Sequence, residues 1–321
     1  MIPVVLLLLF LSWTPPLPLG AVVPDNYVWN PINTWAFAGR LAIAAWIYPK
    51  DKWLGLAVAY VSTWALIAGH EPGRTTALMF TLGAGSYILL RGRTPAWTRH
   101  ALVGTAIAFT LISLYAPDFS FGNRRYLGAY IAAVTPLAPP LVLPVLGLGL
   151  IQSQSWLALI AATVGVLLVY RHRVWRLAPA FAIAFAVVLY ARGTSAETLW
   201  TRVDVWKTGL AQMDGSWLRV LFGRGPAGWS AWVPLSQDFG NPSGWFIQAH
   251  NEYLQWFYET GLVGLVLLAL WCAHLHIRQD WRGSVAAIAI LCAGLHVFHW
   301  ASLAPVLVLM MGAAQEGDTP C

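Results

Sequence analysis

The chain has 321 residues, of which 58% are hydrophobic and only 10% charged, with a formal net charge of +6. An average soluble domain carries roughly 25% charged residues, so this composition argues against a single soluble core. The basic residues sit in short clusters between apolar runs, as loops beside a membrane collect Lys and Arg, so a lipid bilayer is the expected partner and nucleic acid is excluded.

In chain order, apolar runs mark candidate membrane helices at 3–22, 33–49, 53–69, 75–91, 99–116, 124–138, 140–152, 155–170, 176–191, 258–277, 283–299 and 301–314. The first lacks a positively charged leader and is read as a helix rather than a signal peptide. Pro139-Pro140 divides the stretch 124–152, because two consecutive prolines remove backbone donors. The expectation is an all-α integral membrane protein of ten to twelve transmembrane helices, a single polytopic domain over 1–321. Loop parity fixes its orientation. The basic loops at 91–99, 171–176 and 278–282 are expected inside, which puts the long polar segment 192–250 outside.

That segment carries six tryptophans and opens with Thr194-Ser195-Ala196-Glu197, a spacing that starts a helix. Leu199, Val203, Trp206, Leu210 and Met213 then form an amphipathic stripe, with Arg202 at its edge beside Trp206. Residues 215–248 are rich in Gly, Pro, Ser and Trp and read as an ordered loop. Next comes His250-Asn251-Glu252-Tyr253-Leu254-Gln255-Trp256-Phe257-Tyr258-Glu259-Thr260-Gly261-Leu262-Val263-Gly264. A helical wheel puts His250, Leu254, Phe257, Gly261 and Gly264 on one face, where the two glycines would admit another helix. Glu252 and Glu259 fall opposite, which separates them from His250. The plainer reading of His250 is a hydrogen-bonded residue at a helix start.

The pattern His-Asn, nine residues, Gly-x-x-Gly resembles the signature of the O-antigen ligase and O-antigen polymerase superfamily. The segment 222–228, Phe-Gly-Arg-Gly-Pro-Ala-Gly, looks like the family's Gly-x-Gly-Pro-Gly-type loop. Arg202 to Trp206 look like the arginine and tryptophan opening its large periplasmic loop, and 121–130 like the segment leading into its mid-chain helix. Two departures stand out: no arginine precedes the helix beginning near Ser153, and Arg125 stands where asparagine is common.

The resemblance implies a GT-C-like glycosyltransferase in the bacterial inner membrane, facing the periplasm. Its donor would be a polyprenyl-diphosphate-linked glycan and its acceptor a glycan or lipid A-core hydroxyl. Transfer would invert the anomeric centre with no metal and no cofactor. Residue by residue, His250 would be the general base, with Arg202 and Arg124 on the donor diphosphate; Arg224, Asn251 and Trp206 would contact substrate. Guanidinium groups suit a departing diphosphate because they give two-point, charge-assisted hydrogen bonds. A neutral imidazole suits a hydroxyl proton. The alternatives are a polymerase of the same superfamily and a membrane transporter of solute or lipid-linked glycan.

Other signals are set aside. Gly223-x-Gly225-x-x-Gly228 lacks a strand–helix context and contains Pro226, and Asn241-Pro242-Ser243 is not a sequon. His296 and His299 lack a carboxylate or cysteine companion, and Arg40 inside an apolar run is either functional or snorkelling. The three cysteines form no metal or disulfide pattern.

Overall fold

A computed structural model describes residues 31–68, 71–116, 124–170, 183, 186, 196–213, 216–229, 249–295, 297, 298 and 303–315. Within them the helices are α1 Pro31–Ile47, α2 Lys52–Ala68, α3 Glu71–Leu90, α4 Thr98–Ser113, α5 Arg124–Val134, α6 Leu143–Gln152 and α7 Trp156–Val169. They continue with α8 Ala196–Ala211, α9 Trp217–Phe222, α10 Glu252–Ala273, α11 Arg282–Cys292 and α12 Ala304–Ala313. Short 3-10 turns occupy Thr135–Leu137, Pro140–Val142 and Gln279–Trp281. The apolar runs of the sequence thus become helices nearly where periodicity puts them. The runs at 3–22 and most of 176–191, and His296 and His299, lie outside the described residues.

The expected ten to twelve membrane spans are not found among the described residues. Among the described residues one helix, α10 with 22 residues, is long and apolar enough to cross a membrane, and the other apolar helices run 10–17 residues. At about 1.5 Å per residue, 17 residues reach roughly 26 Å and 11 residues roughly 16 Å, against a hydrocarbon core of about 30 Å. Hydropathy counted apolar residues but not the breaks between them, and prolines and glycines divide the runs. The multi-pass inner-membrane placement fails with the span count.

The chain forms two compact units. The first holds α4 to α7, α11 and α12. Its centre is α5, where every residue from Tyr126 to Val134 is buried. Small residues let helices close on one another: a Cβ on Gly165 in α7 would lie 2.6 Å from the Gly283 carbonyl oxygen in α11. The proline break after α5 exposes carbonyls that no helical N–H reaches. Arg99 Nε donates to Leu137 O at 2.7 Å, and Tyr170 Oη to Ala138 O at 2.8 Å, which satisfies them.

The second unit holds α1, α2, most of α3, α8, α9 and α10. Its core is aromatic. Phe80 meets Trp256 with ring centroids 5.1 Å apart, Tyr87 meets Trp271 edge-on at 5.5 Å, and Trp229 meets Tyr258 at 5.1 Å. Arg40 is buried in α1.

Candidate active site

The second unit assembles α8, the glycine-rich segment after α9 and the start of α10. Helix α8 is described from Ala196 onward, and the expected cap residues Thr194 and Ser195 lie outside the described residues. Its buried side differs from the expected stripe. Val205, Gly209 and Met213 are buried and Trp206 is half-buried, whereas Leu210 is exposed. Gly209 explains the shift. The Trp229 ring lies on it so closely that an added Cβ would sit 2.6 Å from the ring edge. A stripe drawn through apolar side chains alone overlooks the glycine that receives the indole. At about 100° per residue, residues 202, 205, 206, 209 and 213 share one arc. Arg202 therefore belongs to the buried side of α8 rather than to its edge, and it is half-buried there.

Helix α10 is broken at Gly261, whose φ of 65° and ψ of −166° lie outside the helical region. Only glycine adopts this conformation without strain. The break leaves the carbonyls of Tyr258 and Glu259 facing the glycine-rich segment, which supplies donors: Arg224 N to Tyr258 O and Gly225 N to Glu259 O, both 2.9 Å. Tyr60 Oη on α2 donates to Phe222 O at 2.9 Å and to Thr260 O at 2.7 Å. At both Gly223 (φ 78°) and Gly261 a Cβ would collide with the opposing backbone. The close approach expected at Gly261 therefore exists: its partner is the C-terminal end of the short helix α9, at Leu221, together with Gly223 just beyond it. Gly264 makes room for the Thr260 side chain of its own helix.

The remaining N–H groups of the glycine-rich segment are also engaged. Gly223 N donates to Arg219 O at 2.7 Å, Gly228 N to Gly225 O at 2.8 Å, and Ala227 N to Glu259 Oε2 at 2.9 Å. Residue 226 is proline and has no N–H to give. A phosphate cradle needs backbone donors pointing outward, so this loop does not act as one, and any contact to phosphate comes from side chains.

His250 does not lie on the α10 face where the wheel put it. Its φ is +54°, and the helix starts after it, with Asn251 as N-cap accepting from Leu254 N at 3.0 Å. Trp206 Nε1 donates to Ala249 O at 2.7 Å, which ties α8, one turn beyond Arg202, to the residue before His250. The far end of α8 is held by Gln212. Its carbonyl accepts from Arg224 Nη2 and from Arg219 Nη1, and its Oε1 accepts from Tyr258 Oη at 3.0 Å. Cations at a helix C-terminus also suit its partial negative charge. Burial pushes the Tyr258 phenol up to about 12, with the Arg224 and Arg219 charges pulling it down and Glu259 adding to the rise. The Tyr60 phenol is likewise raised to about 12 by burial. Both remain protonated donors at neutral pH.

Of the six residues the sequence singles out, Arg202, Trp206, Arg224, His250 and Asn251 lie in the second unit. Arg124 lies in the first, exposed at the N-terminus of α5. Sequence reasoning gave Gln255 no role and set Glu259 aside as lying opposite His250. Glu259 is 4% exposed and Gln255 2%, and Gln255 Nε2 donates to Glu259 Oε1 at 3.0 Å. The signal was available: Glu252, Gln255 and Glu259 make a polar i, i+3, i+7 row on an otherwise apolar helix. Among the described residues no group of three or more His, Cys, Asp or Glu is arranged to hold a metal.

Comparison with curated proteins and with solved structures finds no match. Comparison with protein-family models matches O-antigen ligase over residues 139–269, a stretch that contains Arg202, Trp206, Arg224, His250 and Asn251 but not Arg124. That match links the chain to the O-antigen ligase and polymerase superfamily of glycan-handling membrane enzymes.

Proposed function

We propose that the protein transfers a glycan from a polyprenyl-diphosphate donor to a sugar hydroxyl, as an O-antigen ligase-related glycosyltransferase that needs no metal. The observation that carries this reading is the 2.7 Å hydrogen bond from Trp206 Nε1 to Ala249 O. It fixes the helix of Arg202 to the segment of His250, and so a candidate diphosphate contact to a candidate base. Neutral His250 takes the acceptor hydroxyl's proton as the oxygen attacks the anomeric carbon from the face opposite the diphosphate. The glycosidic C–O bond breaks, its electrons pass to the diphosphate, and the Arg202 guanidinium stabilises the growing charge. Arg124, the other arginine expected on the diphosphate, lies in the first unit and is tested separately. Arg224 Nη2 already donates to the Gln212 carbonyl, so Arg224 chiefly secures α8. Asn251 Oδ1 holds the helix start, which leaves its amide nitrogen for substrate, and the Trp206 indole offers a ring face to a sugar.

The acceptor is a lipid A-core sugar for a ligase, or another lipid-linked unit for a polymerase. Purified protein supplied with a polyprenyl-diphosphate glycan and both acceptors tests the reading. His250→Asn is the informative variant, because asparagine tolerates positive φ better than most residues and so keeps the segment's backbone. Turnover is expected to fall about 10²–10⁴-fold, the range for a positioned acid–base group, with donor binding retained. A His250→Asn enzyme with wild-type turnover removes His250 from the chemistry.

A further inference from the structure

We infer that Glu259 is a positioning residue for this transfer reaction, acting through Gln255 on the His250 segment, an inference that rests on the transferase reading above. The geometry is a buried row of three hydrogen bonds. Ala227 N donates to Glu259 Oε2 at 2.9 Å, Gln255 Nε2 donates to Glu259 Oε1 at 3.0 Å, and Ala249 N donates to Gln255 Oε1 at 3.0 Å. One end grips the glycine-rich segment at Ala227, whose φ is +57°; the other grips the residue before His250, whose φ is +54°. Neither is glycine, so both backbones sit in a region that L-residues avoid and need neighbours to hold them. Ala249 is also held by Trp206 through its carbonyl, so the N–H and C=O of the residue before His250 are both fixed by side chains from elsewhere.

The donor–acceptor order of this row requires a carboxylate. Backbone N–H groups close both ends, and an amide carries one acceptor and one donor. With a carboxylate at 259 every contact pairs a donor with an acceptor. With Glu259→Gln, the new amide nitrogen faces either Ala227 N–H or the Gln255 amide. If Gln255 rotates to oblige, its own nitrogen then faces Ala249 N–H. One donor pair is opposed in every arrangement, among side chains that are almost fully buried. The exchange Gln255→Glu with Glu259→Gln restores the order. The carboxylate, moved to position 255, would accept from Ala249 N–H and from the new amide at position 259, and the oxygen of that amide would accept from Ala227 N–H.

The experiment measures hydrogen exchange over residues 249–254, kcat and donor KM for wild type, Glu259→Gln and the exchanged pair, at matched amounts of folded protein. Glu259→Gln is expected to exchange roughly ten- to hundredfold faster over 249–254, the size of one buried unsatisfied donor. Its kcat should fall by a similar factor, with KM changed less than about threefold, while the exchanged pair recovers protection and kcat together. A purely structural glutamate would lower the folded yield and leave kcat per folded molecule unchanged. Unaltered exchange in Glu259→Gln, or an exchanged pair that folds yet recovers neither quantity, overturns the inference. Recovered protection with unrecovered kcat also overturns it and leaves the transferase reading standing. A wild-type protein that transfers no glycan overturns the transferase reading instead, and the exchange data tell the two failures apart.

Discussion

The two units solve the same problem, the burial of broken helices, by opposite means. In the first, the break at Pro136, Pro139 and Pro140 is closed by two long side chains, Arg99 and Tyr170, each donating to one orphaned carbonyl. Around it small residues and aliphatic side chains pack, and α5 is buried along nearly its whole length. In the second, the break at Gly261 is closed mainly by backbone, through the glycine-rich segment, and a buried carboxylate ties that segment to the residue before His250. Buried carboxylates and positive-φ residues are costly, and the second unit concentrates them beside the residues that chemistry singles out. The difference frames a test: substitutions in the first unit are expected to alter stability alone, and substitutions in the second to alter stability, turnover or both.

The sharpest way to break this comparison is Gly261→Leu. A side chain there meets the Leu221 and Gly223 backbone and requires a conformation only glycine adopts comfortably, at about 1–3 kcal/mol for the strain alone. Folded protein is expected to fall below detection in a yield assay, because the collision adds to the strain. Normal accumulation of Gly261→Leu would mean the loop-to-helix closure does not hold the unit together.

The next largest effect is on turnover. Arg202→Ala is expected to lose at least about 10²-fold in transfer, the scale of losing one transition-state charge contact, while folded protein persists. Arg202→Lys should also be poor, because an ammonium lacks the planar two-point geometry. Arg124→Ala is the comparison that matters, since Arg124 sits in the other unit. An equal loss there would show that the first unit contributes to the reaction. Near-normal product would confine the chemistry to the second unit and remove Arg124 from the donor site.

Helices and breaks were legible from hydropathy and proline, because burial of apolar runs and missing N–H groups are local consequences of sequence. α10 and the Pro139-Pro140 break stand near where the residues put them. The lengths of those helices were not legible in the same way, since hydropathy does not report where a helix breaks, and among the described residues one helix is long and apolar enough to cross a membrane. Of the candidate site residues, His250, Arg202 and Trp206 share one unit. The geometry around them was not legible, because Gly209 and Gly261 act through what they lack. A helical wheel also assumes that His250 belongs to the helix that Asn251 in fact begins.

Gly165→Ala tests the scaffold side. The added Cβ would lie 2.6 Å from the Gly283 carbonyl oxygen, so α7 and α11 must separate. Overpacking of this kind costs about 1–3 kcal/mol, which thermal melting should register as a clear drop. Turnover per folded molecule is expected to stay at the wild-type value. A loss of kcat without a loss of melting temperature would reverse the roles assigned to the two units.

The smallest effects come from a matched pair of tyrosines, one closing each break. Tyr170→Phe removes one donor, to Ala138 O, and should cost about 1 kcal/mol, the usual net value of one hydrogen bond. Tyr60→Phe removes a donor shared by Phe222 O and Thr260 O, so two carbonyls lose their partner and the cost should be somewhat larger. The useful readout is the ratio of effects rather than their size. Tyr170→Phe should lower the melting temperature slightly and leave kcat alone. Tyr60→Phe should lower both, because Thr260 O adjoins Gly261 and Phe222 O adjoins Gly223, the two points where the glycine-rich segment meets α10. The pair must be measured on the same preparation scale, with kcat normalised to folded protein, since a small stability loss otherwise imitates a small activity loss. If Tyr60→Phe lowers the melting temperature but not kcat, the backbone closure at Gly261 is scaffold in the same sense as the proline break. The functional content of the second unit would then narrow to the row from Ala227 through Glu259 and Gln255 to Ala249.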